Sequence, residues 1–158
     1  MMREERGSVA VTVAVLLPLL LSTVSGVVQL GATRILAARV ASAADLATLA
    51  AAADQDGASL VSAGLLRLSA DASAVARKYF ALNLDTIAPH LATTPQDAAA
   101  QADVVVFNVV PATDPLTGWR YERPTVRLSA SVAVRTLAFG VLLPGVTTVN
   151  VRAASSPR

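Results

Sequence analysis

Residues 8–54 read SVAVTVAVLLPLLLSTVSGVVQLGATRILAARVASAADLATLAAAAD. No charged residue occurs from Gly7 to Thr33, and the core of that run is residues 8–30. About 20 mostly apolar residues are enough for a helix to cross ~30 Å of hydrocarbon. The run meets that length and predicts a transmembrane helix over 8–30. Pro18 lies inside it; proline removes one backbone hydrogen bond but is tolerated in membrane helices more readily than in water. Two other readings compete. A buried core helix is shorter in a small soluble domain. A cleaved secretory signal has an apolar region of about 7–15 residues and an A-x-A-like cleavage site, and nothing between Ser22 and Ala32 offers a clean one.

On the front side of the run stands a short leader, residues 1–7, MMREERG, with Arg3 and Arg6 against Glu4 and Glu5. On the rear side stand Arg34 and Arg39. Orientation follows the Lys and Arg near the helix ends, and here the two flanks offer two each. Long domains translocate largely regardless of charge, so the expected arrangement has the N-terminus cytoplasmic and the bulk of the chain outside. Residues 31–54 continue the helix without Pro, with Gly31 the sole glycine at their start. Ile35, Leu36, Val40, Ala43, Ala44, Leu46 and Ala47 fit a 3.6-residue period, with Arg34, Arg39 and Asp45 mainly off the stripe. A 45-residue helix is roughly 68 Å long at 1.5 Å per residue, half in the membrane and half projecting as a stalk. The small alanine face suits close packing, either within the chain or against a partner helix.

A charged leader ending in Gly7, Ser8 opening a proline-containing apolar helix, and the AADLATLAAAAD segment that follows resemble the TadE/TadG-like proteins of tight-adherence (Flp) pilus assembly systems. The resemblance covers the first 54 residues and extends loosely to VARKYFALN and the terminal β segments. It implies a membrane-anchored pseudopilin or assembly component, removal of the leader between Gly7 and Ser8 by a prepilin peptidase, and partners among other pilus or secretion proteins met through the Ala-rich helix. Many pseudopilins of the TadE type carry a glutamate five residues after the glycine. Thr12 occupies that position here, which places the chain nearer the TadG-like branch and leaves a processed pseudopilin and an uncleaved signal anchor both open. A threonine in lipid costs little because its hydroxyl can bond a preceding carbonyl, whereas an unpaired glutamate there is expensive.

Beyond the helix, residues 55–158 read as an extracytoplasmic α+β domain. Asp54, Asp56 and Gly57 have the look of a calcium loop, but no glutamate follows at the required distance, and DQDGAS reads as a turn. Residues 58–68 are apolar enough for a short strand or helix, weakened either way by Gly64. Asp71 is positioned to cap a helix over 72–84, with Ala74, Val75, Tyr79, Phe80 and Leu82 as its core face and Arg77 and Lys78 as a solvated basic edge. Residues 85–101 read as loop, with His90 solvated within it. From Asp103 the period becomes 2: DVVVFNVV (103–110) is a strand, ATDPLTGWRYERP (112–124) a turn-rich connection through Asp114, Pro115 and Gly118, with Trp119 and Tyr121 starting a return strand or covering the sheet edge. TVRLSASVAVRTL (125–137) is a half-buried strand with Val126, Leu128, Ala130, Val132 and Val134 inward and Arg127, Ser129, Ser131, Ala133 and Arg135 outward. A turn at Pro144-Gly145 leads to TTVNVRAAS (147–155). The expectation is a short helix packed on an antiparallel sheet of about three strands.

Composition narrows the function. The 158 residues are 54% hydrophobic, 15% charged and 4% aromatic, with no cysteine and one histidine. Disulfides, cysteine-based zinc sites and thiol nucleophiles are excluded, as are two-histidine metal sites within one chain. The formal charge is +2, and twelve of the thirteen basic residues are scattered arginines, so no nucleic-acid surface stands out. No phosphate loop, G-x-S-x-G or H-E-x-x-H occurs. The expectation is a protein that is not an enzyme, needs no cofactor or metal, and takes no small-molecule substrate. It is anchored in the bilayer as a structural or assembly component of a tight-adherence-type pilus or a related type II/IV-like secretion system. The alternative is a signal-anchored or secreted binding module unrelated to pili, capturing a partner at a sheet edge.

Overall fold

A computed structural model of the chain describes residues 4–63, 66–136 and 145–157. The first element is one α-helix, α1 (Glu4–Ala53), with Pro18 inside it. Then follow α2 (Gly57–Ala63), α3 (Ala72–Asp85), a 3-10 turn (Ala88–His90), α4 (Pro95–Ala100), β1 (Asp103–Phe107), β2 (Ala112–Thr113), β3 (Arg120–Tyr121), β4 (Thr125–Thr136) and β5 (Gly145–Ser155). The architecture is α+β as expected: a long apolar N-terminal helix, then a small domain of helices on a three-stranded antiparallel sheet in the order β1-β4-β5. β4 is central. It pairs with β1 from Asp103↔Ser129 to Phe107↔Thr125 and with β5 from Val126↔Ser155 to Thr136↔Gly145. The connection between β1 and β4 carries its own hairpin, β2 with β3. Gly118 takes a positive φ of 73° in its turn, a conformation glycine adopts without a Cβ penalty.

The second half of α1 belongs to this domain. Val40, Ala43, Ala44 and Ala47 are buried, packed against Phe80 and Leu84 of α3, Leu128, Val132 and Val134 of β4, and Val149 and Val151 of β5, while Ala51 is buried against Leu68, Ala72, Ala76 and Val126. The segment 31–54 is therefore the head's first core helix and not a free stalk, and packing within the chain accounts for its alanine face. Leu46 and Ile35, placed on the inner stripe by periodicity, are exposed, as is Leu49. Small side chains let the axis of α1 lie close to both α3 and the sheet; leucines at those positions would hold them apart. The buried hydroxyl of Thr48 in this stripe bonds the Asp45 carbonyl at 3.0 Å and the Ser155 hydroxyl of β5 at 2.9 Å.

Close helix packing also explains the face of α3. Its buried residues are Ala72, Ala76, Phe80 and Leu84, an i, i+4 row. Tyr79 and Leu82 are exposed and Ala74 with them; of the five expected core residues only Phe80 is fully buried. Asp71 precedes the helix in an αR conformation and makes no side-chain cap hydrogen bond, because a cap needs an extended backbone to aim its oxygen at the first turn. Arg77 is half-buried and donates to the Ala102 carbonyl at 3.4 Å, so it ties α3 to the start of the sheet.

Residues 85–101, expected as loop, contain α4. Thr94 is its N-cap, accepting from the Asp97 amide at 3.0 Å and donating to the Asp97 carboxylate at 2.7 Å, with Pro95 in the first turn. The Asp54–Asp56 turn opens α2: the Asp56 carboxylate accepts from the Ala58 amide at 3.1 Å and from the Ser59 amide and hydroxyl. Those bonds from Ser59 hold its pKa below the ordinary carboxylate value. Gly64 and Pro144 lie outside the described residues.

Candidate membrane anchor and its junction with the head

The first half of α1 is built from residues that have no partner face inside the chain. All thirteen Val and Leu side chains from Val9 to Leu30 are more than half exposed, and they point in every direction around the helix. This helix is long and apolar enough to cross a membrane. Three of its hydroxyls bond back along the helix: Ser22 donates to the Pro18 carbonyl at 2.8 Å, Thr23 to Leu19 at 2.9 Å and Thr33 to Gln29 at 2.9 Å. Hydrocarbon offers polar groups no water, so internal bonding of this kind is what a spanning segment requires.

The residues of the expected processing site, Gly7, Ser8 and Thr12, all lie within α1, and Thr12 is exposed. A peptidase acting at the Gly7–Ser8 bond has to open this first helical turn to reach an extended backbone.

Where the apolar run ends, three elements converge. Leu36 of α1 packs onto the core. Leu91 forms an isolated antiparallel bridge with Val134, and the Ala92 amide donates to the Ala133 carbonyl at 2.9 Å. These contacts set the 3-10 turn beside the end of β4. Between them lies a half-open cavity of about 230 Å³, walled by Thr33, Ile35, Leu36, Arg39, His90 and Arg135. Its apolar wall is continuous with the exposed helix, and its polar groups are those of Thr33, Arg39, His90 and Arg135.

A second polar cluster sits on the outward face of the sheet. Arg127 belongs to the strand parity expected to face solvent, yet only 3% of it is exposed. The β2–β3 hairpin folds over it. Arg127 Nη2 donates to the Asp103 carboxylate at 2.7 Å, and Nε lies 3.5 Å from Asp114 Oδ2. Asp114, fully buried, also accepts from the Leu116 amide at 3.0 Å and the Thr117 hydroxyl at 2.7 Å. Burial pushes its carboxyl up. The Thr117 and Leu116 bonds and the charges of Arg127 and Arg152 outweigh that, so its pKa lies below the ordinary value. Asp114 thus organises the hairpin turn and pins it to the sheet. Trp119, in the same hairpin, is exposed, while Tyr121 stacks at a tilt on Phe107 with ring centres 5.1 Å apart.

Sequence reasoning placed the long apolar helix and missed this cluster. Alternation assigns Arg127 to solvent, and only the acidic residues at Asp103 and Asp114 hinted at a partner. The junction cavity depends on the proximity of residues 39, 90 and 135, which no local pattern encodes. Comparison with models of known protein families, with curated proteins and with solved structures returned no match.

Proposed function

We propose that the chain is a single-pass membrane-anchored structural or assembly component, pseudopilin-like in layout, serving a tight-adherence-type pilus or a related secretion system. The observation that carries the anchor is the helix itself: uncharged from Gly7 to Thr33, apolar on all sides, and continuous with the core of the head. Left in water, that surface would far exceed the few hundred Å² of contiguous apolar patch that monomeric proteins expose. β4 ends, and β5 begins, on the side of the sheet where the helix leaves the apolar run, and the eight residues between them in sequence, 137–144, read LAFGVLLP without a charged or polar side chain. The pilus assignment rests on the resemblance of the leader, the helix and the AADLATLAAAAD segment. Contacts with other pilus proteins fall to the outer face of α1, where Ile35, Leu46 and Leu49 are exposed. The N-terminus is cytoplasmic and the head extracytoplasmic.

Intact-mass measurement of membrane-extracted protein, co-expressed with a prepilin peptidase, tests this reading. A mature chain starting at Ser8 supports the pseudopilin. A chain retaining its leader is an uncleaved signal anchor. A chain starting near Thr33 overturns the anchor in favour of a cleaved secretory signal.

A further inference from the structure

We infer that the cavity between α1, the 3-10 turn and the end of β4 is a headgroup site for one anionic phospholipid. The inference rests on the membrane-anchor reading. Three observations carry it. The first is position: Thr33 closes the uncharged run, so a cavity bounded by Thr33, Ile35, Leu36 and Arg39 lies where hydrocarbon gives way to headgroups. The second is charge: Arg39 and Arg135 both line the cavity, His90 stands beside them, and no acidic side chain shares its wall. No ion pair within 4.0 Å engages either arginine among the described residues. The third is continuity: Ile35 and the exposed face running back through Val28 to Val24, each within about 20° of it around the helix, give acyl chains an apolar track leading away from the charged end.

A phosphodiester is the chemistry that fits. It carries a full negative charge with several acceptor oxygens, and arginine's planar fork of donors matches phosphate geometry. A lipid phosphate brings its own apolar chains to the Ile35 side, which inorganic phosphate does not. Phosphatidylcholine is zwitterionic, and the two arginines repel its quaternary ammonium. Arg39 and Arg135 reach the site from different elements, so binding also clamps the helix to the β4 end of the sheet.

The test uses the full chain in neutral detergent micelles, titrated with phosphatidylglycerol or with phosphatidylcholine, the first bound lipid being counted by native mass spectrometry. An interfacial Lys or Arg contributes about 1 kcal/mol toward anionic lipid, about fivefold in affinity. Arg39→Gln combined with Arg135→Gln should therefore weaken phosphatidylglycerol binding roughly thirtyfold and leave phosphatidylcholine unchanged. Both arginines are exposed, and an unaltered melting temperature confirms that the variant folds. Arg120→Gln, on the β2–β3 hairpin and two-thirds exposed, should retain the wild-type preference. Equal affinity of the wild type for the two lipids, or a preference that survives in the double variant, overturns the headgroup site. Flotation with pure phosphatidylcholine vesicles separates the two readings: wild type and double variant should both float. A wild type that stays in solution overturns the anchor, and the headgroup site with it.

Discussion

Replacing Asp114 with alanine removes the buried carboxylate that pins the β2–β3 turn to the sheet. The carboxylate gives up its bonds to the Leu116 amide and the Thr117 hydroxyl and its ion pair with Arg127. Breaking a buried pair by deleting one member costs about 3–5 kcal/mol, because the surviving charge stays buried. Asp103 still holds Arg127 through Nη2, so the lower end applies: about 3 kcal/mol, or roughly 12 °C in melting temperature for a domain of this size. Arg127→Met should cost a similar amount by stranding Asp114. The double variant strands neither, and its cost should fall short of the sum of the singles by about 2 kcal/mol, as expected of directly coupled residues. Urea unfolding in neutral detergent, followed by circular dichroism and by the sole tryptophan, Trp119, measures all three. Single variants that cost under about 1 kcal/mol, or costs that simply add, refute the reasoning. The pH dependence gives an independent check. Because the Asp114 pKa is lowered by folding, its contribution is present above the unfolded value of about 3.9 and is lost as pH falls through the folded value. The stability gap between wild type and Asp114→Ala should therefore be full near pH 6 and should narrow below about pH 4.

Ala47→Leu, at a fully buried position of α1, should destabilise the head by about 1–3 kcal/mol through overpacking, while Leu46→Ala, next door on the exposed face, should change stability by less than about 0.5 kcal/mol; thermal melts compare the two. Thr94→Ala should cost about 1 kcal/mol by removing the cap of α4, read as a fall in urea midpoint with unchanged slope. Leu20→Arg, mid-span, adds about 2.5–3.5 kcal/mol to the free energy of membrane insertion and should raise the fraction of protein released from membranes by alkaline carbonate.

Different parts of the fold announce themselves to different degrees in the sequence. The span does so through uncharged length alone, and β4 through clean alternation, because both signals depend on a single solvent boundary. The core faces of α1 and α3 do so only in part. In α1 the period picks out the buried Val40, Ala43, Ala44 and Ala47 but adds Ile35 and Leu46, which are exposed. In α3 alanine reads as neutral, so Ala72 and Ala76 stay hidden while Tyr79 and Leu82 draw attention to the wrong side. What decides the matter is the separation of two helix axes, a property of the packed pair. The α4 helix is readable in principle: Thr94, Pro95 and Asp97 form a cap signature, masked because two prolines and three threonines give residues 85–101 the composition of a loop. Arg127 and the junction cavity arise from tertiary contacts alone.

For a membrane-anchored chain, the unbroken course of α1 from its exposed apolar half into the core has a mechanical consequence. With no hinge at residues 31–35 among the described elements, the head follows the axis of the span as a rigid lever. Helices longer than the local hydrocarbon thickness accommodate by tilting. From Thr33 to Ala53 the lever arm is about 30 Å, so a 10° change of tilt sweeps the far end of the helix through about 5 Å. Bilayer thickness would thereby set where the head's outer surfaces meet a neighbouring subunit.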